Sequence, residues 1–312
     1  MSLQVIGCGC TDALQNTGIP AGGGKKFGTA VGVFIQETLK ADGTFNSLDL
    51  TTSILPQILA GLNHVDPKQR LFFVGDLDNI EPANEGAQFD TAANGKRFKV
   101  RDGIESMTIG FKTNASHQLF SKIAEICGDV SIYPVDTCGN LLVVKDGTTG
   151  RGRRIATGSY NSQLDMAGSS TVQSIMANFD WYSRKEQLNQ WLISDKEIGA
   201  DLTETKSMID VYVDAISAST SALIFEAEYG YGTAITQIPV VGLLLANVTI
   251  FNVTTGLAVT VTGVTYNTVN KQYTAAYSTG VTAADVLRVT VYKAATTVNV
   301  NPLLGLDTVT AA

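Results

Sequence analysis

The stretch Arg97–Val144, RFKVRDGIESMTIGFKTNASHQLFSKIAEICGDVSIYPVDTCGNLLVV, carries strand, helix and strand signals one after another. Phe98 and Val100 alternate with Lys99 and Arg101, Asp102-Gly103 supplies a tight turn, and Met107, Ile109 and Phe111 alternate with Thr108, Gly110 and Lys112. This pattern predicts a β-hairpin with one apolar face. Asn114 can cap a helix in which Ala115, Leu119, Phe120, Ile123, Ala124, Ile126 and Cys127 recur at three- and four-residue steps until Gly128 stops it. The nearest apolar surfaces for that helix are the hairpin before it and the strands expected at Val130–Val135 and Leu141–Val144 after it. The unit therefore reads as a sheet with one helix packed across it.

Working outward, the 312 residues are enough for two domains, each with its own core. A hydrophobic content of 44% with only 16% charged residues describes a folded chain whose surface is largely Thr, Ser, Asn, Gln and Gly. Such a surface fits subunits packed against one another better than a freely dissolved enzyme. The net charge of −7 argues against binding nucleic acid by neutralising phosphates. The first residues, MSLQVIGCGCTD, have no basic segment followed by an apolar core, so no signal peptide is expected. No apolar run approaches the ~18 residues of a membrane helix; Ile238–Ala246 is broken by Pro239 and Gly242. Cys8, Cys10, Cys127 and Cys138 lack paired zinc spacing and read as buried free thiols.

Residues 11–26 read as a polar, glycine-rich arm, and the glycines before Lys25 and Lys26 fail the phosphate-loop template. Phe27–Glu37 reads as a strand, Ile54, Ile58, Leu59 and Leu62 mark a short helix, and Leu71–Val74 another strand. Asp76, Asp78 and Glu81 in GDLDNIE lack the remaining ligands of a calcium loop and read as a solvated acidic turn, followed by loop to residue 97. The segment DGTTGRGRRIATGSYNSQLDMAGS after Val144 reads as a long loop. Its Arg151, Arg153 and Arg154 form the basic cluster singled out in the chain. They offer either a phosphate contact or, favoured by the acidic total, ion-pair docking on an adjacent subunit. Thr171–Tyr182 reads as a long strand, Arg184–Leu192 as a short helix with Leu188 and Trp191 or Leu192 inward, and Met208–Asp214 as a strand.

Composition changes near Ala215–Thr220. Beyond it the charged residues are Lys271, Arg288, Lys293, Glu226, Glu228, Asp285 and Asp307, and Val and Thr dominate. Runs at Leu223–Glu228, Val248–Asn252, Ala258–Thr265, Gln272–Tyr277 and Val286–Tyr292 recur at roughly ten-residue spacing, as a small β-sandwich requires. The expected domains are therefore residues 1–215 and 216–312.

The run ANVTIFNVTTGLAVTVTGVTYNTVNKQYTAAY with TAADVLRVTVY resembles the bacterial and phage immunoglobulin-like modules. The first two-thirds, with long strands, one helix of four turns and polar loops, resembles the tube proteins of tailed-bacteriophage tails. The resemblance implies a mainly β fold with one or two packed helices, an α+β sandwich of tail-tube type, followed by an immunoglobulin-like β-sandwich. It also implies a non-enzymatic virion subunit that self-assembles into stacked rings, usually of six copies, forming a channel through which DNA passes without specific binding. Lys25, Lys26, Arg151, Arg153 and Arg154 are the subunit-contact candidates. No catalytic, cofactor-binding or metal-ligating residue is expected: neither His64 nor His117 sits in a nucleophile or metal motif. Synthesis in the bacterial cytoplasm, contact with other virion proteins and no membrane insertion complete the expectation. The alternatives are a collar, connector or capsid-decoration protein, or a glycan- or cell-surface-binding module.

Overall fold

The computed structural model describes residues 27–93, 95–101, 103–111, 123, 130–165, 174–229, 238–278 and 280–312. Over the described residues the chain is mainly β, with 52% strand against 9% helix. It divides into Met1–Thr205 and Lys206–Ala312.

In the first unit the described elements are β1 (Ala30–Glu37), β2 (Leu48–Asp49), α1 (Ile54–Leu62), β3 (Phe72–Val74), β4 (Leu77–Asn84), β5 (Gln88–Thr91), β6 (Arg97–Arg101) and β7 (Glu105–Phe111). They continue with β8 (Val130–Asp136), β9 (Leu141–Asp146), β10 (Thr149–Arg151), β11 (Arg153–Arg154), β12 (Asn161–Asp165), β13 (Ser174–Asp180), α2 (Arg184–Leu188), β14 (Gln190–Ile193) and α3 (Asp195–Ile198). One sheet runs β2, β10, β9, β8, β1, β3, with β11 on β8 and β14 on β9. A second runs β12, β13, β7, β4. Val33, Ile35, Val130 and Ile132 of the first sheet meet Ile109, Ile175, Ala177 and Phe179 of the second in one buried cluster. Ile123, the described residue of the expected central helix, is helical and buried in that cluster; the remainder of that helix lies outside the described residues.

β1 is buried on both faces, with Val33, Phe34 and Ile35 all inside, which is why its sequence is a continuous apolar run rather than a clean alternation. In α1 the residues Ile54, Ile58 and Leu62 stand four apart and form the buried face. Asp136, fully buried, organises the β8–β9 turn. Its Oδ1 accepts from the N–H groups of Cys138 and Asn140 at 2.9 Å each. Its Oδ2 accepts from Gly28 N at 3.0 Å and Asn140 Nδ2 at 2.9 Å, and Asn140 Oδ1 accepts from Asp195 N, the first residue of α3, at 3.2 Å.

Several expectations change. β6 and β7 do not form a hairpin with each other: β6 pairs with β5, and β7 pairs with β4 and β13. GDLDNIE and the loop expected after it hold β4 and β5 instead. The loop expected after Val144 contains β10, β11 and β12, whose Gly and polar residues are accommodated because the strands are short and each pairs with a more apolar one, β10 with β9, β11 with β8 and β12 with β13. The helix expected over Arg184–Leu192 stops at Leu188, and Leu188 and Trp191 face solvent at 79% and 56% exposure while Glu186 is the buried residue. Cys138 is disulfide-bonded rather than a free thiol, its partner lying outside the described residues.

The second unit contains β15 (Ile209–Ala218), β16 (Ala222–Tyr229), β17 (Val248–Asn252), β18 (Leu257–Val259), β19 (Val261–Asn267), β20 (Gln272–Tyr277), β21 (Val286–Lys293) and β22 (Leu303–Thr310). The domain division falls before β15, so that strand, which spans the expected boundary at 215/216, belongs to the second unit. Strand order is β18, β17, β21, β22, β15, β16, β20, β19. β15 pairs in parallel with β22 at its start and antiparallel with β16 along its length, with an irregularity between Ala215 and Ser217. Leu223, Phe225, Tyr273 and Ala275 from one half share a core with Ile250, Leu287, Val289 and Val291 from the other, so the strands fold over on themselves. Gly305 permits the close approach of β22 to β15: a Cβ there would lie 2.1 Å from the Val211 carbonyl oxygen.

Asp285 closes the turn before β21. Its Oδ2 accepts from Thr282 N at 2.7 Å, Asn252 Nδ2 at 2.9 Å and Thr282 Oγ1 at 3.0 Å. The Thr282 N–H and then the Asn252 amide hold this carboxyl below the ordinary aspartate range. A carboxyl whose pKa falls on folding stabilises the fold above its unfolded pKa and ceases to do so as pH falls through the folded value. Calorimetry from pH 7 to pH 2 is therefore expected to show the second unit's transition weakening below about pH 4. Asp285→Asn flattens that dependence; an identical slope in the variant contradicts the assignment.

Candidate functional site

The arginines singled out by the sequence converge on one buried cluster. Gly152 lets the chain cross from β9 to β8: Arg151 stands opposite Val144 of β9 and Arg153 opposite Ile132 of β8. A Cβ at Gly152 would meet Ser131 Cβ at 2.8 Å and Tyr133 Cε2 at 2.9 Å. Alternation then directs Arg153 inward, where its Nη2 donates to Glu105 Oε2 across a tight ion pair and its guanidinium lies 4.4 Å from the Trp181 ring. Glu186 accepts from Arg154 Nε at 2.6 Å and Arg154 N at 3.0 Å, and its Oε1 forms an ion pair with Arg151 Nη1 at 2.9 Å. Arg154 also stacks on Tyr182 at 3.9 Å, and both Arg151 and Arg154 approach Phe45. Arg184 Nε lies 3.7 Å from Glu105 Oε1 at the exposed end.

Burial pulls the Arg153 guanidinium below its ordinary pKa, against the hydrogen bond and charge of Glu105 and the charge of Glu186. Burial likewise pushes the Tyr133 hydroxyl beneath Gly152 up to about 12, opposed by the Gly152 backbone and Arg151. Both carboxylates are held by guanidinium groups, an arrangement suited to fastening β7, β10, β11 and α2 together rather than to moving a proton. From the sequence these arginines offer a phosphate contact or, favoured, docking on an acidic face of an adjacent subunit; within the chain they meet Glu105 and Glu186. The spacing of Arg151 and Arg153 across Gly152 shows their basicity but not which distant carboxylates meet them. Lys25 and Lys26 lie outside the described residues. Among the described residues no group of three His, Cys, Asp or Glu comes together as a metal site, and no helix is long and apolar enough to cross a membrane.

Two surfaces outside the cluster carry matched chemistry. Among the described residues β5 and β6 form a two-stranded ribbon that pairs with no other strand. Phe89 stands opposite Lys99 and Thr91 opposite Arg97, so one face carries Phe89, Arg97 and Lys99, with the Arg97 guanidinium 4.8 Å from the Phe89 ring. The other face carries Asp90, Phe98 and Val100, and Phe89, Phe98 and Val100 are exposed at 49%, 56% and 67%. The signal was in the sequence, since KRFKVR holds four cations in six residues; reading Phe98 and Val100 as a core face hid it. On the second unit, Tyr212 stands opposite Glu228 and Asp214 opposite Glu226, on the face away from the core residues Val211, Phe225 and Ala227. Burial first, then Glu226 and Asp214 against the pull of Lys271, raises the Glu228 carboxyl.

No protein-family model, no curated protein and no solved structure matches the chain.

Proposed function

We propose that the chain is a non-enzymatic structural subunit of a tailed-phage virion, a tail-tube-like protein that assembles with copies of itself into stacked rings around a DNA channel. In this reading the first unit is the assembly domain and the second an immunoglobulin-like module, in a protein made in the host cytoplasm and incorporated into the virion.

The observation that carries the reading is the combination of an open-edged two-sheet unit with a second unit of this particular strand order. In the second unit β15, β16, β20 and β19 follow one another in one half, and β22, β21 and β17 in the other. Lettered in chain order, with β18 as an added edge strand, this succession has the A-B-E-D and G-F-C order that an immunoglobulin-like sandwich requires, which supports that reading. Among the described residues the four-stranded sheet of the first unit ends at β12 and β4. Edge strands present backbone groups to any strand that can pair with them, and pairing across copies would join these sheets into a continuous wall. The chain's net charge of −7 would let DNA slide past without counterion-release binding.

Lysines on an edge strand oppose pairing with another chain. Asn161→Lys with Gln163→Lys, both exposed on β12, is expected to abolish ring formation while leaving the unfolding transition of the first unit in place. Rings formed normally by the doubly substituted protein rule out β12 as the joining edge.

A further inference from the structure

The β5–β6 ribbon is too small to stand alone. A two-stranded ribbon is marginally stable in water and needs a third strand or a packed surface, yet Phe89 on one face and Phe98 and Val100 on the other are exposed. At its base Glu85 N donates to the Ile104 carbonyl at 2.8 Å. Its cations are also out of keeping with a chain of net charge −7. An acidic surface that also offers an exposed aromatic ring is its natural counterpart, and the outer face of β15 and β16 has that composition. Asp210, Tyr212 and Asp214 are exposed there, Tyr212 at 68%. Glu226 and Glu228 lie beside them, Gln272 Nε2 donates to Glu226 Oε1 at 3.0 Å, and the Lys271 charge acts on Glu228.

We propose that the face of the ribbon bearing Phe89, Arg97 and Lys99 docks on the outer face of β15 and β16 of a second copy, with the cations against Asp214, Glu226 and Glu228 and Phe89 against Tyr212. The contact is heterologous, joining different patches on the two copies, and so propagates from copy to copy into rings or stacks instead of stopping at a pair. It rests on the self-association proposed above and adds to it a contact separate from the β12 and β4 edges. Opposite charge on the two patches also sets the register, and charges of one sign across the contact would oppose it.

The test uses the full chain in three forms: the parent, a ribbon variant Arg97→Glu with Lys99→Glu, and a face variant Asp214→Lys with Glu226→Lys. Association is followed by sedimentation velocity across a concentration series at low and high salt. Each variant alone is expected to need at least about tenfold higher concentration than the parent for the same degree of association, a loss of about 1.4 kcal/mol. An equal mixture of the two variants restores association, because the reversed ribbon of one now meets the reversed face of the other. Raised salt weakens the parent and the mixture alike. The mixture also guards against misfolding, since a variant that had lost its fold could not be rescued by the other. If the parent associates and the variants associate equally well, or the mixture stays as weak as each variant, this docking is wrong while self-assembly stands. If the parent remains a monomer at every concentration, the docking and the assembly reading both fail.

Discussion

Glu186→Ala is expected to lower the stability of the first unit by about 3–5 kcal/mol, the range for removing one partner from a buried ion pair. Glu186 is buried, accepts two hydrogen bonds from Arg154 and forms an ion pair with Arg151. Without it the Arg151 and Arg154 guanidinium groups keep their positions beside Phe45 and Tyr182 but lose their counter-charge. Arg151 is least able to escape, because its Nε and Nη1 are already buried with no hydrogen-bond partner. The converse substitution, Arg154→Met, is expected to cost less than half as much, since Glu186 keeps Arg151 and the methionine chain can cover Phe45 and Tyr182. Both tryptophans of the chain, Trp181 and Trp191, belong to the first unit, so urea unfolding followed by tryptophan fluorescence reads this unit alone. Equal losses in the two variants would mean that packing, not the uncompensated charge, sets the cost.

Asp136→Ala is expected to cost about 3–4 kcal/mol by the same measurement, as a buried acceptor whose loss leaves several donors unsatisfied. The four bonds it accepts tie Gly28 at the entry to β1, the β8–β9 turn and, through Asn140, the start of α3. Asp136→Asn is expected to recover little of the loss. An amide keeps one acceptor oxygen but points its own N–H groups at donors already present. Full recovery in the asparagine variant would show that hydrogen bonding to one oxygen is sufficient and that the second pair of bonds contributes nothing.

The second unit was more legible in the sequence than the first, for a physical reason. Its strands each show one face to a shared core, so apolar and polar residues alternate, and Val248–Asn252 and Gln272–Tyr277 emerge at their observed bounds. Val286–Tyr292 differs from β21 by one residue. In the first unit, β1 and β8 are buried on both faces and the alternation disappears. β10 and β11 are legible only through their partners, since Thr149-Gly150-Arg151 and Arg153-Arg154 have no strand propensity of their own and are held by β9 and β8. The ribbon misled in the opposite sense: Phe98 and Val100 alternate as a core strand would, but the partner strand is β5 and the face is exposed. For the arginine cluster, the basic residues were visible, but Glu105 and Glu186 lie 48 and 32 residues away in the chain. Only the fold brings them together.

The most direct measurement of the central claim is negative-stain microscopy of the purified chain together with its mass by light scattering across a concentration series. The account predicts rings or short tubes with a central hole, with mass rising in whole multiples of the subunit. A mass that stays at one subunit at every concentration, with no rings in the images, would contradict it.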